Sequence, residues 1–228
     1  MNTKKTIFIT GANRGIGLAL VKEAIKNDLY AIGSYRNGSN KDSLNSLASE
    51  SFQDIELDVT DEKTFPKMSK NINRSIDYLI CNAGINNGYG SFNSEDHSPK
   101  EMLNVFNVNV IGPILTIRNL IDFMSNNGKI IIISSIMGVQ AHEGSRATVY
   151  RASKAAVNNL MVSISNDLNP KGFIVSAFHP GWVQTDMGGP NASLTAEESA
   201  KSLINCFLKL TNRDSGCFFN YDGNLIQF

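Results

Sequence analysis

Tyr150 and Lys154 stand four positions apart in Tyr150-Arg151-Ala152-Ser153-Lys154, at the head of a segment with helical periodicity. On a helix that spacing puts a phenol and an ammonium on one side, a turn apart. A free phenol titrates near ~10, and bringing it to ~7 requires roughly 4 kcal/mol of preference for the phenolate. One cation ~4 Å away, at an effective dielectric near ~20, supplies about that much. The pair can therefore make tyrosine an acid/base catalyst near neutrality. The same spacing also occurs on ordinary solvated helices, so its surroundings decide.

A second set of residues suits a dinucleotide. In Thr10-Gly11-Ala12-Asn13-Arg14-Gly15-Ile16-Gly17 the glycines Gly11, Gly15 and Gly17 let backbone approach a pyrophosphate. Amides at the start of the following helix favour its charge. The spacing is Gly-x-x-x-Gly-x-Gly rather than Gly-x-Gly-x-x-Gly, and a simple tight turn could share it. Past the second apolar run, Tyr35-Arg36-Asn37 lacks the carboxylate that would accept from an adenosine ribose. Arg36 instead suits a 2′-phosphate, with Arg14 as a second cation, although both could be ordinary surface arginines. NADP(H) is expected over NAD(H), which stays possible.

Positioning these groups takes alternating strands and helices. Strands are expected at 6–10, 30–35, 52–57, 76–81, 129–135, 174–178 and 217–221. Helices are expected from about Gly15, over 42–49, from near Asp61, from Pro99 to about Asn126 with a kink at Gly112-Pro113, from Tyr150, and over 195–210. Buried strands in β-α succession imply an α/β fold, a doubly wound parallel seven-stranded sheet with helices on both faces. No linker composition or repeat divides the chain, so residues 1–228 form one domain. Ligands of such sheets bind beyond the strands' carboxyl ends. Gly11, Arg36, Asp58, Asn82, Ser135 and Pro180 all fall at or just past one.

Composition narrows the partners. With 42% hydrophobic and 18% charged residues, 21 basic against 21 acidic, the chain suits a soluble globular protein with no basic stripe for nucleic acid. Cys81, Cys206 and Cys217 form neither a metal pattern nor a disulfide framework. His97, His142 and His179 are scattered, so no metal is expected, though His142 lies close enough before Tyr150 to touch substrate. No stretch has secretory or membrane-spanning character. A cytoplasmic location is expected.

Taken in order, Thr10-Gly11-x-x-x-Gly15-x-Gly17, Asn82-Ala83-Gly84, Asn109, Ser135, Tyr150-x-x-x-Lys154 and Pro180-Gly181 resemble the short-chain dehydrogenase/reductase family over essentially the whole length. Tyr150 to Ala156 and His179 to Pro190 look like its C-factor/Sniffer-type carbonyl reductase group. The resemblance implies a single-domain Rossmann fold. It makes Tyr150 the proton donor to a carbonyl and Ser135 the partner of the substrate oxygen. Lys154 would lower the Tyr150 pKa and hold the nicotinamide ribose, and Asn109 would anchor a water leading to Lys154. Cofactor contacts would come from Gly11, Asn13, Arg14, Gly15, Ile16 and Gly17, from Arg36, Asp58 and Val59, from Asn82, Ala83 and Gly84, and from Pro180, Gly181, Val183 and Thr185. The serine-to-tyrosine separation, fifteen positions here, exceeds the family's usual spacing. A longer loop costs little, and Ser134 is the competing serine.

The expected activity is NADP(H)-dependent carbonyl reduction on a small-molecule carbonyl or alcohol substrate. The alternative is a dinucleotide-binding signalling or sensor protein with little turnover. A sugar-nucleotide epimerase or dehydratase would need a larger region after Lys154. The short segment between Pro180 and Thr195, with Gly188, Gly189 and Pro190, predicts an open, permissive pocket. Relatives pair through the helices at Pro99 and Tyr150, which implies a homodimer or homotetramer.

Overall fold

Strands that are apolar on both faces must lie between two layers of helix. The computed structural model describes residues 4–47 and 49–228. In it, β1 (Thr6–Ile9) leads to α1 (Gly15–Lys26), and β2 (Tyr30–Tyr35) to the single turn α2 (Asp42–Asn45). β3 (Phe52–Glu56) passes through a 3₁₀ turn at Glu62–Thr64 into α3 (Phe65–Ser69). β4 (Ile76–Cys81) precedes α4 (Pro99–Phe106), a π-helical stretch at Asn107–Ile111, and α5 (Gly112–Leu120). β5 (Met124–Ile133), α6 (Thr148–Leu168), β6 (Ile174–His179), α7 (Ala196–Lys209), β7 (Phe218–Asn220) and β8 (Leu225–Ile226) complete the order.

All strands join one sheet in the order β3-β2-β1-β4-β5-β6-β7-β8. Pairing is parallel from β3 through β7, and β8 returns antiparallel to β7. The expected seven strands thus become eight, because the chain turns back at Gly223 (φ 88°) and Asn220 N donates to Asn224 O at 2.8 Å. A two-residue return strand is too short to show periodicity. The strand order reverses between β1 and β4, which opens the crevice at their carboxyl ends.

β5 shows how both faces are filled. Ile130 and Ile132 pack with Leu115, Leu120, Val157 and Met161 on the α5/α6 side. Ile131 and Ile133 pack with Leu20, Leu203, Ile204 and Phe207 on the α1/α7 side. The sheet is wound on both faces, as expected.

Two helix boundaries differ from expectation. The second helix, expected over 42–49, stops at Asn45, and Ala48 lies outside the described residues. The long helix ends at Leu120 rather than near Asn126, since Met124 already pairs with Ile76. The kink expected at Gly112-Pro113 takes the form of the π-helical stretch just before it. Pro113 has no N–H for the carbonyl of Asn109, so the helix changes register there. Among the described residues no helix is long and apolar enough to cross a membrane, and no group of three potential metal ligands forms.

Candidate active site

The loop between β1 and α1 is packed too tightly for side chains. A Cβ at Gly17 would lie 2.2 Å from the Gly11 carbonyl and 2.7 Å from Asn82 Nδ2. Gly11, at φ +65°, would place one 3.1 Å from Ala83 Cα. The ends of β1 and β4 are stitched together here. Thr10 Oγ1 accepts from the amides of Asn82 and Ala83, each at 3.0 Å. Asn82 Nδ2 donates to the carbonyls of Thr10 and Gly11 at 2.9 and 3.1 Å. Thr10 was not among the expected site residues; the signal was a hydroxyl closing a buried strand just before a glycine turn.

Arg14 occupies the N-cap of α1 with no side-chain capping bond, and the first turn holds no acidic residue. The helix therefore presents its amides and positive dipole end to the crevice. Backbone donors, missing Cβ atoms and a first turn without acidic residues fit a pyrophosphate. Asn13 and Ile16 are turned elsewhere. Asn13 Nδ2 donates to Asn40 O at 2.9 Å, and Ile16 packs into the α1/α7 layer.

At the adenosine end the two expected cations differ. Arg36 is exposed, its carbonyl accepting from Ser39 N at 3.0 Å and from Ser39 Oγ at 2.5 Å. Arg14 is instead ion-paired to Asp186 at 2.5 Å, because the loop after β6 crosses over to it. Asp58 Oδ1 accepts from Thr60 N and Thr60 Oγ1 at 2.9 and 2.6 Å, an Asx turn. The helical turn that follows is capped by Asp61. Val59 is buried against Gly112, where a Cβ would sit 2.9 Å from Val59 Cγ2.

Asn109, Ser135, Tyr150 and Lys154 converge at the end of β5. Lys154 is 4% exposed and donates from Nζ to the Ile133 carbonyl at 2.8 Å. Asn109 Oδ1 accepts from Ile85 N at 2.8 Å, and its Nδ2 donates to Ile85 O at 2.9 Å and Ser153 Oγ at 3.0 Å. Ser153 Oγ in turn donates to the Tyr150 carbonyl at 2.7 Å. Asn109 thus fastens the loop after β4 to the first turn of α6. A Cβ at Gly84 would lie 3.4 Å from Asn109 Oδ1 and 3.7 Å from Lys154 Nζ.

The two serines divide by strand alternation. Ser134 Oγ donates to Asn158 Oδ1 at 2.5 Å, pinning β5 to α6. Ser135 Oγ accepts from Met137 N at 3.1 Å and lies close enough to the Tyr150 phenol to lower its pKa.

The electrostatics correct one expectation. Burial pushes the Tyr150 phenol up to about 12, against a smaller lowering by the Ser135 hydroxyl. Lys154 does not depress it in this geometry. Its Nζ is 5.6 Å from the centre of the Tyr150 ring and is committed to Ile133. Burial lowers Lys154 itself to about 8. Desolvation outweighs the attraction that spacing alone promised.

The loop after β6 closes the crevice. The Pro180 carbonyl accepts from Ser199 Oγ at 2.6 Å. Gly181 adopts φ +86° where a Cβ would strike Leu194 Cδ1 at 2.4 Å, and Val183 bridges to Leu194. Thr185 Cγ2 lies 3.3 Å from where a Cβ on Gly15 would be. Asp186 reaches Arg14, and the Met187 carbonyl accepts from the Tyr89 hydroxyl. Beside Tyr150, a small cleft is lined in part by Asn86, Asn87, Gly88, His97 and Val149. The glycines at 188 and 189 let the loop turn down onto the site.

His142 is exposed, and burial lowers the half-buried His179 to about 4. The Cys81 thiol is pushed up to about 12 by burial, which makes it inert.

The sequence profile of the short chain dehydrogenase family matches residues 5–195. The C-signal protein of Myxococcus xanthus is 36% identical over 156 residues, covering 67% of this chain and 93% of that one. The carbonyl reductase Sniffer of D. melanogaster superimposes with a TM-score of 0.91 at 28% identity, over 99% of this chain and 100% of its own. An NADPH-bound carbonyl reductase from chicken fatty liver gives 0.89 at 28% identity, over 99% of each chain.

Proposed function

Because the chain belongs to the short-chain dehydrogenase family, we propose that this oxidoreductase uses NADP(H) to reduce ketone and aldehyde carbonyls, with Tyr150 as the proton donor. The observation that carries this is the meeting of Ser135, Tyr150 and Lys154 at the end of β5, beside a glycine cradle whose helix has no acidic residue in its first turn. When bound, the reduced nicotinamide supplies the hydride. Tyr150 and Ser135 supply two hydroxyl donors that stabilise the negative charge developing on the substrate oxygen. A phenol held at about 12 is fully protonated at neutral pH and suits the acid role. Lys154 and Gly84 border the ribose position. Pro113 cannot donate to the Asn109 carbonyl, which leaves it to anchor a water toward Lys154.

NADP(H) over NAD(H) is supported by Arg36, which replaces the usual carboxylate past β2 and forms no ion pair among the described residues. The NADPH in the chicken carbonyl reductase agrees with it. We place the reaction in the reducing cytoplasm, which suits three free cysteines. A second copy of the chain is the proposed partner, docking on α4 and α6, where Leu103 is 71% exposed.

The test is a panel of ketones, aldehydes, dicarbonyls and quinones with NADPH and NADH side by side. Faster consumption of NADPH with at least some carbonyls is expected. The likeness to C-signal favours a second reading, a signalling protein that binds the dinucleotide with little turnover. Tight NADPH binding with no consumption across the panel would select it.

A further inference from the structure

The loop after β6 is one compact unit. Trp182 Nε1 donates to the Gly188 carbonyl at 2.8 Å, and Gly188 N donates to Thr185 Oγ1 at 3.1 Å. It is bounded by Gly181 at φ +86° and Gly189 at φ +77°, the latter with open space around its Cβ position. Two consecutive residues of this unit are tied in opposite directions. Asp186 pairs with Arg14 beside the glycine loop, and the Met187 carbonyl accepts from Tyr89 in the loop after β4. Tyr89 is itself anchored. Ala147, in the left-handed conformation just before α6, donates to the carbonyls of Tyr89 and Gly90 at 3.4 and 3.1 Å.

We propose that Asp186 and Tyr89 are the positioning residues of a two-armed clasp that holds residues 182–189 down over the site, Asp186 governing the cofactor side and Tyr89 the substrate side. This rests on the dinucleotide reading of the crevice given above. The arms differ in chemistry. The Arg14–Asp186 pair is largely exposed, so a phosphate dianion can displace the carboxylate from the guanidinium. Binding of a 2′-phosphorylated dinucleotide then releases that arm. The Tyr89 arm carries no charge and is indifferent to such an anion. Tyr89 directly follows Gly88, which helps to line a cleft with Asn87 and Tyr150, so this arm faces the substrate side.

Trp182 is the only tryptophan and lies inside the clasp, so its time-resolved fluorescence anisotropy reads the loop without turnover. In Tyr89→Phe and in Asp186→Asn, the nanosecond local motion of Trp182 should grow in amplitude. Asp186→Asn should bind NADP⁺ about two- to fivefold more tightly, the worth of a lost exposed pair. Tyr89→Phe should raise the KM for a carbonyl substrate about three- to tenfold, with kcat and the NADP⁺ Kd little changed. Unaltered Trp182 motion in both variants, or weaker NADP⁺ binding in Asp186→Asn, overturns the clasp. So does a Tyr89→Phe enzyme that loses kcat and thermal stability instead of KM. A wild type with no turnover sinks the reductase assignment alone, because anisotropy and NADP⁺ titration still judge the clasp.

Discussion

α1 and α7 lie against each other on one face of the sheet. Their first turns are built in opposite ways. At α7, Thr195 Oγ1 accepts from Glu198 N at 3.2 Å while Glu198 Oε2 accepts from Thr195 N at 2.8 Å, a reciprocal capping box. Glu197 and Glu198 also complement the dipole. At α1 the cap is Arg14, no side chain satisfies the amides, and glycines take the next places. One helix start consumes its own hydrogen-bonding capacity, and the other keeps it for an anion. By stability rules alone α1 is defective. As a binding site it is complete.

The comparison breaks most severely at Gly17. Gly17→Ala should lower NADP⁺ affinity by ~10³-fold or more, about 4 kcal/mol, in a fluorescence titration. Retained affinity would mean that the cradle does not touch the dinucleotide.

The sacrifice of stability extends to Lys154, whose pKa falls from 10.5 to about 8 on folding. The unfolded chain then binds more protons than the folded one between those values, so stability rises with pH across that window. Relative to Lys154→Met, the wild type should gain up to roughly 3 kcal/mol in urea melts between pH 8 and 10. Above pH 10 the raised Tyr150 adds the opposite trend, its stabilisation being lost as pH climbs through about 12. Parallel pH curves for the two proteins would refute the burial cost.

At the adenosine end, Arg36→Ala should raise the KM for NADPH about tenfold and leave that for NADH unchanged, the worth of one charge-assisted contact. At α7 the smallest effect is expected. Thr195→Ala should cost about 1 kcal/mol in denaturant melts and leave NADP⁺ affinity alone, because that cap serves only its helix. Altered affinity there would erase the contrast between the two helix starts.

What the sequence revealed followed from locality. Interior strands such as Thr6–Ile9 and the apolar end of β5 are continuous apolar runs, and the glycine loop and the Tyr150/Lys154 spacing lie within single segments. What it concealed joins distant segments. Arg14 and Asp186 are 172 positions apart, and Tyr89 and Met187 are 98 apart. No local pattern pairs them, so the contacts that tie down the loop after β6 are invisible in the sequence. Likewise, helical spacing places Lys154 beside Tyr150 but cannot say how deeply both are buried. Burial then reversed the direction of the tyrosine's shift. Ser135 is preferred over Ser134 in the sequence because it closes the apolar run in the family-like phrase Ile133-Ser134-Ser135-Ile136-Met137-Gly138, and Ser134 is in fact held by Asn158.

Replacement of a single hydroxyl tests the central claim most directly. Tyr150→Phe keeps the ring and removes only the proton donor. With an accepted carbonyl substrate and NADPH, turnover should fall by ~10²- to 10⁴-fold, the usual worth of a general acid, while NADP⁺ still binds. Undiminished turnover in that variant would contradict the assignment of Tyr150 as the acid.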